Sequence, residues 1–288
     1  MSRKEEDMKQ RIITSIVAVC VLIPVLILHD SPLLPIGIAA CSVIAVFEML
    51  GCIGIKKFGA VSTPLYLAAA AFPFLIRYLP DAELVKSIAV CAVTAVSLYL
   101  FGVLIFSHGK YQIGQIGAVM FSVLYILIAF NAILVIHDWV DGGKYLYLIC
   151  FIGAWITDIF AYFCGMLLGR GGKHKLIPEV SPKKTVEGSI GGIVFCVLSL
   201  ILFGFIVERI APDFQANLLI FGLAGIFVSV VAQIGDLSMS VIKRTYGIKD
   251  YGKLFPGHGG ILDRFDSVLA VSAVLLIFTT FFNFFEVI

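Results

Sequence analysis

Nine stretches of this chain are each long and apolar enough to cross a bilayer as a helix, and nothing else in the sequence constrains its fold as tightly. They run over about 12–29, 33–51, 62–79, 86–106, 114–136, 145–168, 188–207, 216–242 and 267–286. A helix needs about 20 apolar residues to cover the hydrocarbon core. Charged residues make up 14% of the 288 and hydrophobic ones 60%, where a soluble domain carries about 25% charged residues. So few charges cannot cover a water-facing surface, so lipid is the solvent for most of the chain. The fold expected is an all-α, polytopic membrane bundle of about nine transmembrane helices. Residues 1–288 are read as one integral membrane domain, with about five spans in 1–144 and the chemistry in 145–288. The first run is read as a span and not a leader, because no A-x-A-like cleavage site follows it and the next run begins at once. Pro24 within it is tolerable in a lipid-embedded helix.

Loop charges orient this bundle. With the amino terminus cytoplasmic, the inside segments hold Arg3, Lys4, Lys9, Arg11, Lys56, Lys57, Lys110, Arg170, Lys173, Lys175, Lys183, Lys184, Lys243, Arg244, Lys249, Lys253 and Arg264, which is 17 of the 21 Lys and Arg. The outside segments hold Arg77, Lys86, Lys144 and Arg209. Such a bias supports nine spans with a cytoplasmic amino terminus and an external carboxyl terminus; the location expected is a bacterial cell membrane. A net charge of +2 is too small to draw a nucleic acid by bulk electrostatics, so none is expected as a partner. The seven cysteines are scattered through apolar runs without a C-x-x-C pair, which argues against a disulfide framework or a zinc site.

Polar chemistry gathers late in the chain. Asp158 sits inside a span, where a carboxylate is costly and marks a functional cavity by default. At helical spacing it shares a face with Tyr162, Gly165 and Gly169, and the two glycines are read as helix-packing residues. Ser229, Gln233, Asp236, Ser240 and Lys243 form a second stripe, running to the inner surface. Ser229 and Gln233 suit a hydrogen-bonded seam between helices as well as function; Asp236, followed by Lys243 and Arg244, favours function. The loop after it, KRTYGIKDYGKLFPGHGGILDRFDS, offers Lys243, Arg244, Lys249, Lys253 and Arg264 to phosphate oxygens. Asp250, Asp263 and Asp266 add hard oxygen donors of the kind Mg²⁺ takes. Glycines 252, 257, 259 and 260 permit close backbone approach to a ligand. His258 is weak by itself, since a turn histidine often serves only as a hydrogen-bonding group. A second inside loop presents Ser181, Lys183, Lys184 and Thr185 just ahead of a helix that opens near 186–192, where backbone N–H groups receive anions. It contains no P-loop sequence. Glu48, near the inner end of the second run, is placed to face the same cavity, but a snorkelling carboxylate is the reading preferred for it. Carboxylates beside a phosphate-gripping basic loop on one membrane face point to a nucleotide meeting a lipid phosphate.

The stretch from Ser240 through Lys243-Arg244, Lys249-Asp250 and Gly252 to Phe255-Pro256-Gly257-His258-Gly259-Gly260-Ile261-Leu262-Asp263-Arg264-Phe265-Asp266 resembles the C-terminal motif of the phosphatidate cytidylyltransferases. Ser181-Pro182-Lys183-Lys184-Thr185 with Glu187-Gly188, Asp158 with Ala161-Tyr162 and Gly165, and Gly235-Asp236 resemble the same family. The match is specific over about 155–270, while the first five helices resemble it only in hydropathy and length. The resemblance implies that CTP and phosphatidate react to give CDP-diacylglycerol and pyrophosphate, with Mg²⁺ as cofactor and K⁺ as a candidate second cation. It implies catalytic roles for Asp236, Asp263, Lys243, Arg264 and Asp266. It implies substrate contacts from Ser181, Lys183, Lys184, Thr185, Ser240, Arg244, Lys249, Asp250, His258, Gly259 and Gly260, and metal ligation by Asp236 and Asp263, with Asp158 next. A lipid or polyprenol kinase would share the topology and the nucleotide loop. An ion-coupled transporter would instead need mid-membrane charges on several helices and symmetry between halves, which the sequence lacks. The sequence leaves open whether the bundle forms a homodimer.

Overall fold

Every one of the nine apolar runs is occupied by helix in the computed structural model, which describes residues 3–169 and 174–287. Arg170 and Lys173, counted among the inside charges, lie outside the described residues, as do the side chains of Arg3, Lys4, Lys9 and Arg11. The helices are α1 Arg3–Ile27, α2 Leu33–Ile53, α3 Ser62–Tyr78, α4 Ala82–Phe106, α5 Ile113–Trp139, the short α6 Gly143–Leu146, α7 Ile149–Leu168, α8 Val186–Ile210, α9 Leu218–Thr245 and α10 Leu262–Phe281. Seven segments among the described residues are long and apolar enough to cross a membrane: α2, α4, α5, α6 with α7, α8, α9 and α10. The two remaining runs are shorter, α3 having 17 residues and α1 an apolar part of Ile13–Ile27. The protein is a multi-pass, all-α membrane bundle.

Among the described residues, two small antiparallel ribbons interrupt the helices. Strands β1 (Lys175–Ile177) and β2 (Ser181–Thr185) pair in the loop before α8, with Lys175 opposite Thr185. Strands β3 (Phe214–Ala216) and β4 (Phe285–Val287) pair near the carboxyl terminus. The last apolar run therefore does not stay helical to residue 286. Phe284 and Phe285 leave the helix axis and pack edge-on against Phe221, with ring centroids 4.9 and 5.4 Å away. Aromatic burial and ladder hydrogen bonds replace the last helical turn.

Backbone contacts divide the chain into two compact units, residues 1–134 with 246–264, and residues 135–245 with 265–288. In the first, α2 buries Leu34, Ile38, Val46, Met49 and Leu50, and α3 packs on it with Leu65, Ala69 and Ile76. The loop 246–264 belongs to this unit although it follows α9. In the second, α7, α8 and α9 approach through small residues. A Cβ on Gly165 would lie 2.9 Å from Thr185 Oγ1, one on Gly192 would lie 3.0 Å from Thr157 O, and one on Gly225 would lie 2.6 Å from Val197 Cα. Backbone-to-backbone proximity of this kind is how helices associate in lipid, where hydrophobicity alone favours no contact. It also confirms the packing role expected of Gly165. Gln233 seals the α8–α9 seam, accepting from the Ser189 hydroxyl at 2.5 Å and donating to the Ser189 carbonyl at 3.4 Å.

Candidate active site

In the second unit, α9 and α10 meet at Gly235. A Cβ there would fall 2.5 Å from Ala270 Cβ and 2.9 Å from the Asp266 carbonyl, separations that real side chains do not reach. The glycine thus lets α10 close onto α9 at the residue before Asp236. As a result Asp266, 9% exposed, lies within electrostatic reach of Asp236, Asp158 and Lys243. Each carboxylate is held by a neighbour. Asp266 Oδ1 accepts from the Ser267 N–H at 2.9 Å, and Asp158 Oδ2 accepts from the Ser267 hydroxyl at 3.0 Å. Asp236 forms an ion pair with Lys184, which β2 delivers. Three acids facing two lysines make a negatively biased set of hard oxygen donors, the chemistry a divalent cation selects. The three carboxylates do not converge to within 4.8 Å of one another.

The ends of β2 and α9 complete this cluster. Thr185 is buried and caps α8, its Oγ1 accepting from the Gly188 N–H at 3.1 Å, so its hydroxyl serves helix initiation. Ser181 is half-buried and Lys183 exposed on the ribbon. Ser240 and Lys243 follow Asp236 along α9 by one and two turns and are half-buried, while Arg244 is exposed.

In the first unit the glycine-rich loop is folded around two carboxylates. Phe255-Pro256-Gly257-His258 is a turn closed by His258 N–H donating to the Phe255 carbonyl at 2.8 Å, with Gly257 at φ 77°. Proline followed by a positive-φ glycine is the type II pattern. Asp263, 8% exposed, accepts through Oδ2 from the N–H groups of Tyr251 at 2.8 Å and Gly260 at 2.9 Å. Glu48 reaches the same loop from α2, its Oε1 accepting from Ile261 N–H at 3.0 Å and its Oε2 from Leu262 N–H at 2.9 Å. It is 5% exposed and closes off the first free N–H groups of α10, where negative charge is also favoured by the helix dipole. The snorkelling role expected of Glu48 is therefore wrong: its carboxylate is turned into the protein because backbone donors await it there. A carboxylate within an apolar run was the available signal. Ser267, which holds both Asp158 and Asp266, carried no signal at all. His258 Nε2 lies 3.3 Å from Ser15 Oγ of α1. Lys249, Asp250 and Arg264 are exposed, Gly259 takes φ 85°, and Gly260 is buried against the Glu48 carboxylate. Among the residues expected to bind or catalyse, Asp158, Lys184, Asp236, Lys243 and Asp266 gather in one unit, and His258, Gly259, Gly260 and Asp263 are organised together in the other.

A sequence model of the cytidylyltransferase family matches residues 9–282. The chain is similar to a phosphatidate cytidylyltransferase of Staphylococcus haemolyticus (strain JCSC1435), at 34% identity over 268 residues, covering 93% of this chain and 97% of the relative. It is also similar to a protein of that name from Bacillus subtilis (strain 168), at 33% over 287 residues, or 96% and 99% of the two chains. The Staphylococcus aureus (strain COL) protein of the same name is 34% identical over 270 residues, with 93% and 97% covered. These matches run through the helices of 1–144 as well as the late motif, and the chain belongs to the cytidylyltransferase family.

Proposed function

We propose that this protein is a phosphatidate cytidylyltransferase, forming CDP-diacylglycerol and pyrophosphate from CTP and phosphatidate. The observation that carries this reading is the end-to-end match to relatives of that name, at 34% identity over 93% of the chain. The local geometry supports it by gathering Asp158, Asp236 and Asp266 with Lys184 and Lys243. Charge bias in the loops supports a cytoplasmic location for this end of α9, in the cell membrane, with CTP arriving from the cytosol.

A phosphate monoester has a second pKa of about 6, so phosphatidate is largely dianionic at pH 7 and needs little help from a general base. Its phosphate oxygen attacks the α-phosphorus of CTP, a new P–O–P bond forms, and the bond to the β-phosphate breaks to release pyrophosphate. The difficulty is bringing a dianion to a triphosphate. Lys184, paired with Asp236, and Lys243, within electrostatic reach of Asp266, offset that repulsion. In the second unit the donor chemistry suits Mg²⁺: Asp236 would hold it, with Asp158 next, and Lys184 would exchange its ion pair with Asp236 for a phosphate oxygen; Asp263 has the same role from the family resemblance alone. When bound, Mg²⁺, with K⁺ as a candidate second cation, supplies charge neutralisation at the triphosphate and the leaving pyrophosphate. Ser267 keeps Asp158 and Asp266 oriented while this happens.

Purified protein in detergent should release pyrophosphate from CTP only when phosphatidate and Mg²⁺ are both present. Turnover of ATP with a lipid alcohol, and none with CTP and phosphatidate, would assign the chain to lipid phosphorylation instead. The helix contact at Gly235 gives a second expected result. Gly235→Ala sets a methyl against Ala270 and must part α9 from α10, shifting Asp236 relative to Asp266 by a fraction of an ångström or more. Turnover should fall by about 100-fold, the scale of such misplacements, with the protein still extracted as a single species on size exclusion. Unchanged turnover would remove Gly235 from the account.

A further inference from the structure

At the end of α2 that carries Glu48, the first unit forms a half-open cavity of about 1000 Å³, and among its lining residues only Lys249 and Asp250 have so far been given a substrate role. One wall is Val43, Ile44 and Phe47 of α2; the other is the segment 248–254. Phe47, Phe58 and Tyr66 form an aromatic cluster with centroids 6.2 to 6.5 Å apart. The Tyr66 hydroxyl donates to the Lys57 carbonyl at 2.8 Å, fixing the short α2–α3 loop.

The two ends of this cavity differ in chemistry. Its rim carries Lys57, Lys249 and Lys253, none in an ion pair among the described residues. Lys57 Nζ sits 4.0 Å over the Phe47 ring, which parks the ammonium at the boundary between the apolar wall and the rim. Against these stand Asp250, exposed on the rim, and Glu48, whose two oxygens are occupied by the Ile261 and Leu262 N–H groups. The apolar wall, in contrast, does not end at the cavity. Leu33, Ile36, Ala40, Val43 with Ile44, and Phe47 follow one another at helical spacing along α2. Ile36 is 48% exposed and Leu33 38%, on a helix able to span the bilayer. The wall thus continues as a face of α2 that meets lipid.

We propose that this cavity receives the lipid phosphate: the phosphomonoester head lies among Lys57, Lys249 and Lys253, and the acyl chains follow Val43, Ile44 and Phe47 out along α2 into the bilayer. The inference rests on the function proposed above and assigns its lipid substrate to a place. CTP has charge enough for the rim and a base that can stack on the aromatic cluster, but no chain to follow the apolar face that continues along α2 into the membrane. An amphiphile has both. Lys57 and Lys253 become specificity residues for the phosphomonoester head, since a diacylglycerol or a phosphocholine lipid lacks the dianion that three lysines attract.

The test uses the full-length protein in detergent and reads binding and turnover separately. Native mass spectrometry with dioleoyl phosphatidate, dioleoylglycerol and dioleoyl phosphatidylcholine should show retention of phosphatidate alone, undisturbed by CTP or glycerol 3-phosphate. The double variant Lys57→Ala, Lys253→Ala, and separately Ile44→Trp, which fills the apolar end, should lose most of that occupancy. In turnover each should raise the KM for phosphatidate about tenfold, or about 1.4 kcal/mol of binding, with the KM for CTP within about twofold. Lys57→Arg with Lys253→Arg keeps the cations and should restore the parent values, which a merely structural effect of the alanines would not predict. Displacement of phosphatidate by CTP, or a rise in the KM for CTP instead, would give the cavity to the nucleotide and overturn the proposal, as would variants that hold phosphatidate like the parent. Retention of phosphatidate in this cavity without any CTP-dependent turnover would leave the lipid site standing and discard the reaction.

Discussion

Asp263→Asn is expected to abolish turnover while leaving the protein folded and membrane-inserted. The substitution separates two roles that this carboxylate combines. Its Oδ2 clamps the loop by accepting from Tyr251 and Gly260 N–H groups. Asparagine is nearly isosteric and its single carbonyl oxygen can still accept both, so the clamp weakens from charge-assisted to neutral hydrogen bonds. That change amounts to about 1–2 kcal/mol of stability. The negative charge, however, is gone, and with it the contribution Asp263 would make to holding a cation. Loss of a charged group that acts on the transferring phosphoryl group costs on the order of 1000-fold. Pyrophosphate release across a Mg²⁺ titration, alongside thermal unfolding in detergent, reads both effects. A turnover loss below about tenfold with a small drop in unfolding temperature would mean that Asp263 only clamps the loop.

Glu48 carries the second large expected effect, through position and not through contact with the reacting atoms. Its two oxygens each accept one N–H at the start of α10, and Gly252 and Gly260 close on the same carboxylate with no room for a side chain. Glu48→Ala leaves two buried donors without acceptors, at about 1–3 kcal/mol each, and opens a gap behind the loop. Glu48→Gln is the sharper probe. Its oxygen can serve one N–H, but its amide nitrogen then faces the other, donor against donor. Both variants should lose about 100-fold or more in turnover as the loop carrying Asp263 shifts, and Glu48→Gln should also unfold at lower temperature than the parent. Shared activity and stability between Glu48→Gln and the parent would show that the bidentate contact is dispensable.

The bundle itself was legible because lipid imposes a rule with few exceptions: backbone groups must be satisfied within each span, so an apolar run of sufficient length is a helix. That rule located helix in all nine runs. It had less to say where a run ends, and the departure of Phe284 and Phe285 from α10 into a ribbon reflects aromatic burial that the run length did not register. Asp158 and Asp236 were legible for the complementary reason, that a carboxylate placed in an apolar helix marks a place where something uses it; the sequence puts Asp266 among the donors of the loop, and the structure sets it in the first turns of α10 instead. Gln233 shows the limit of the same reasoning, since its place on a polar stripe fits a seam with Ser189 as well as it fits a site.

Partners were not legible. Thr185 looked like an anion-binding hydroxyl beside Lys183 and Lys184, yet its oxygen is spent on Gly188 at the head of α8. Glu48 lies some 213 residues from the N–H it accepts at Ile261, and no periodicity links positions so distant. Gly235 is marked in the sequence only by the family resemblance beside Asp236, and its close approach to Ala270 and the Asp266 carbonyl shows the physical reason a side chain is excluded.

By itself, then, the sequence determined that the chain lives in a bilayer, where its helices run, and which charged residues had to be explained, because hydropathy and the cost of burying charge act residue by residue. Only the tertiary structure decided what each charge answers to. Lys184 meets Asp236, Ser267 bridges to Asp158, and Glu48 turns inward to the head of α10. Those choices depend on which helices close together, and close approach is set by packing between distant segments, at glycines whose meaning appears only when the opposing surface is in place.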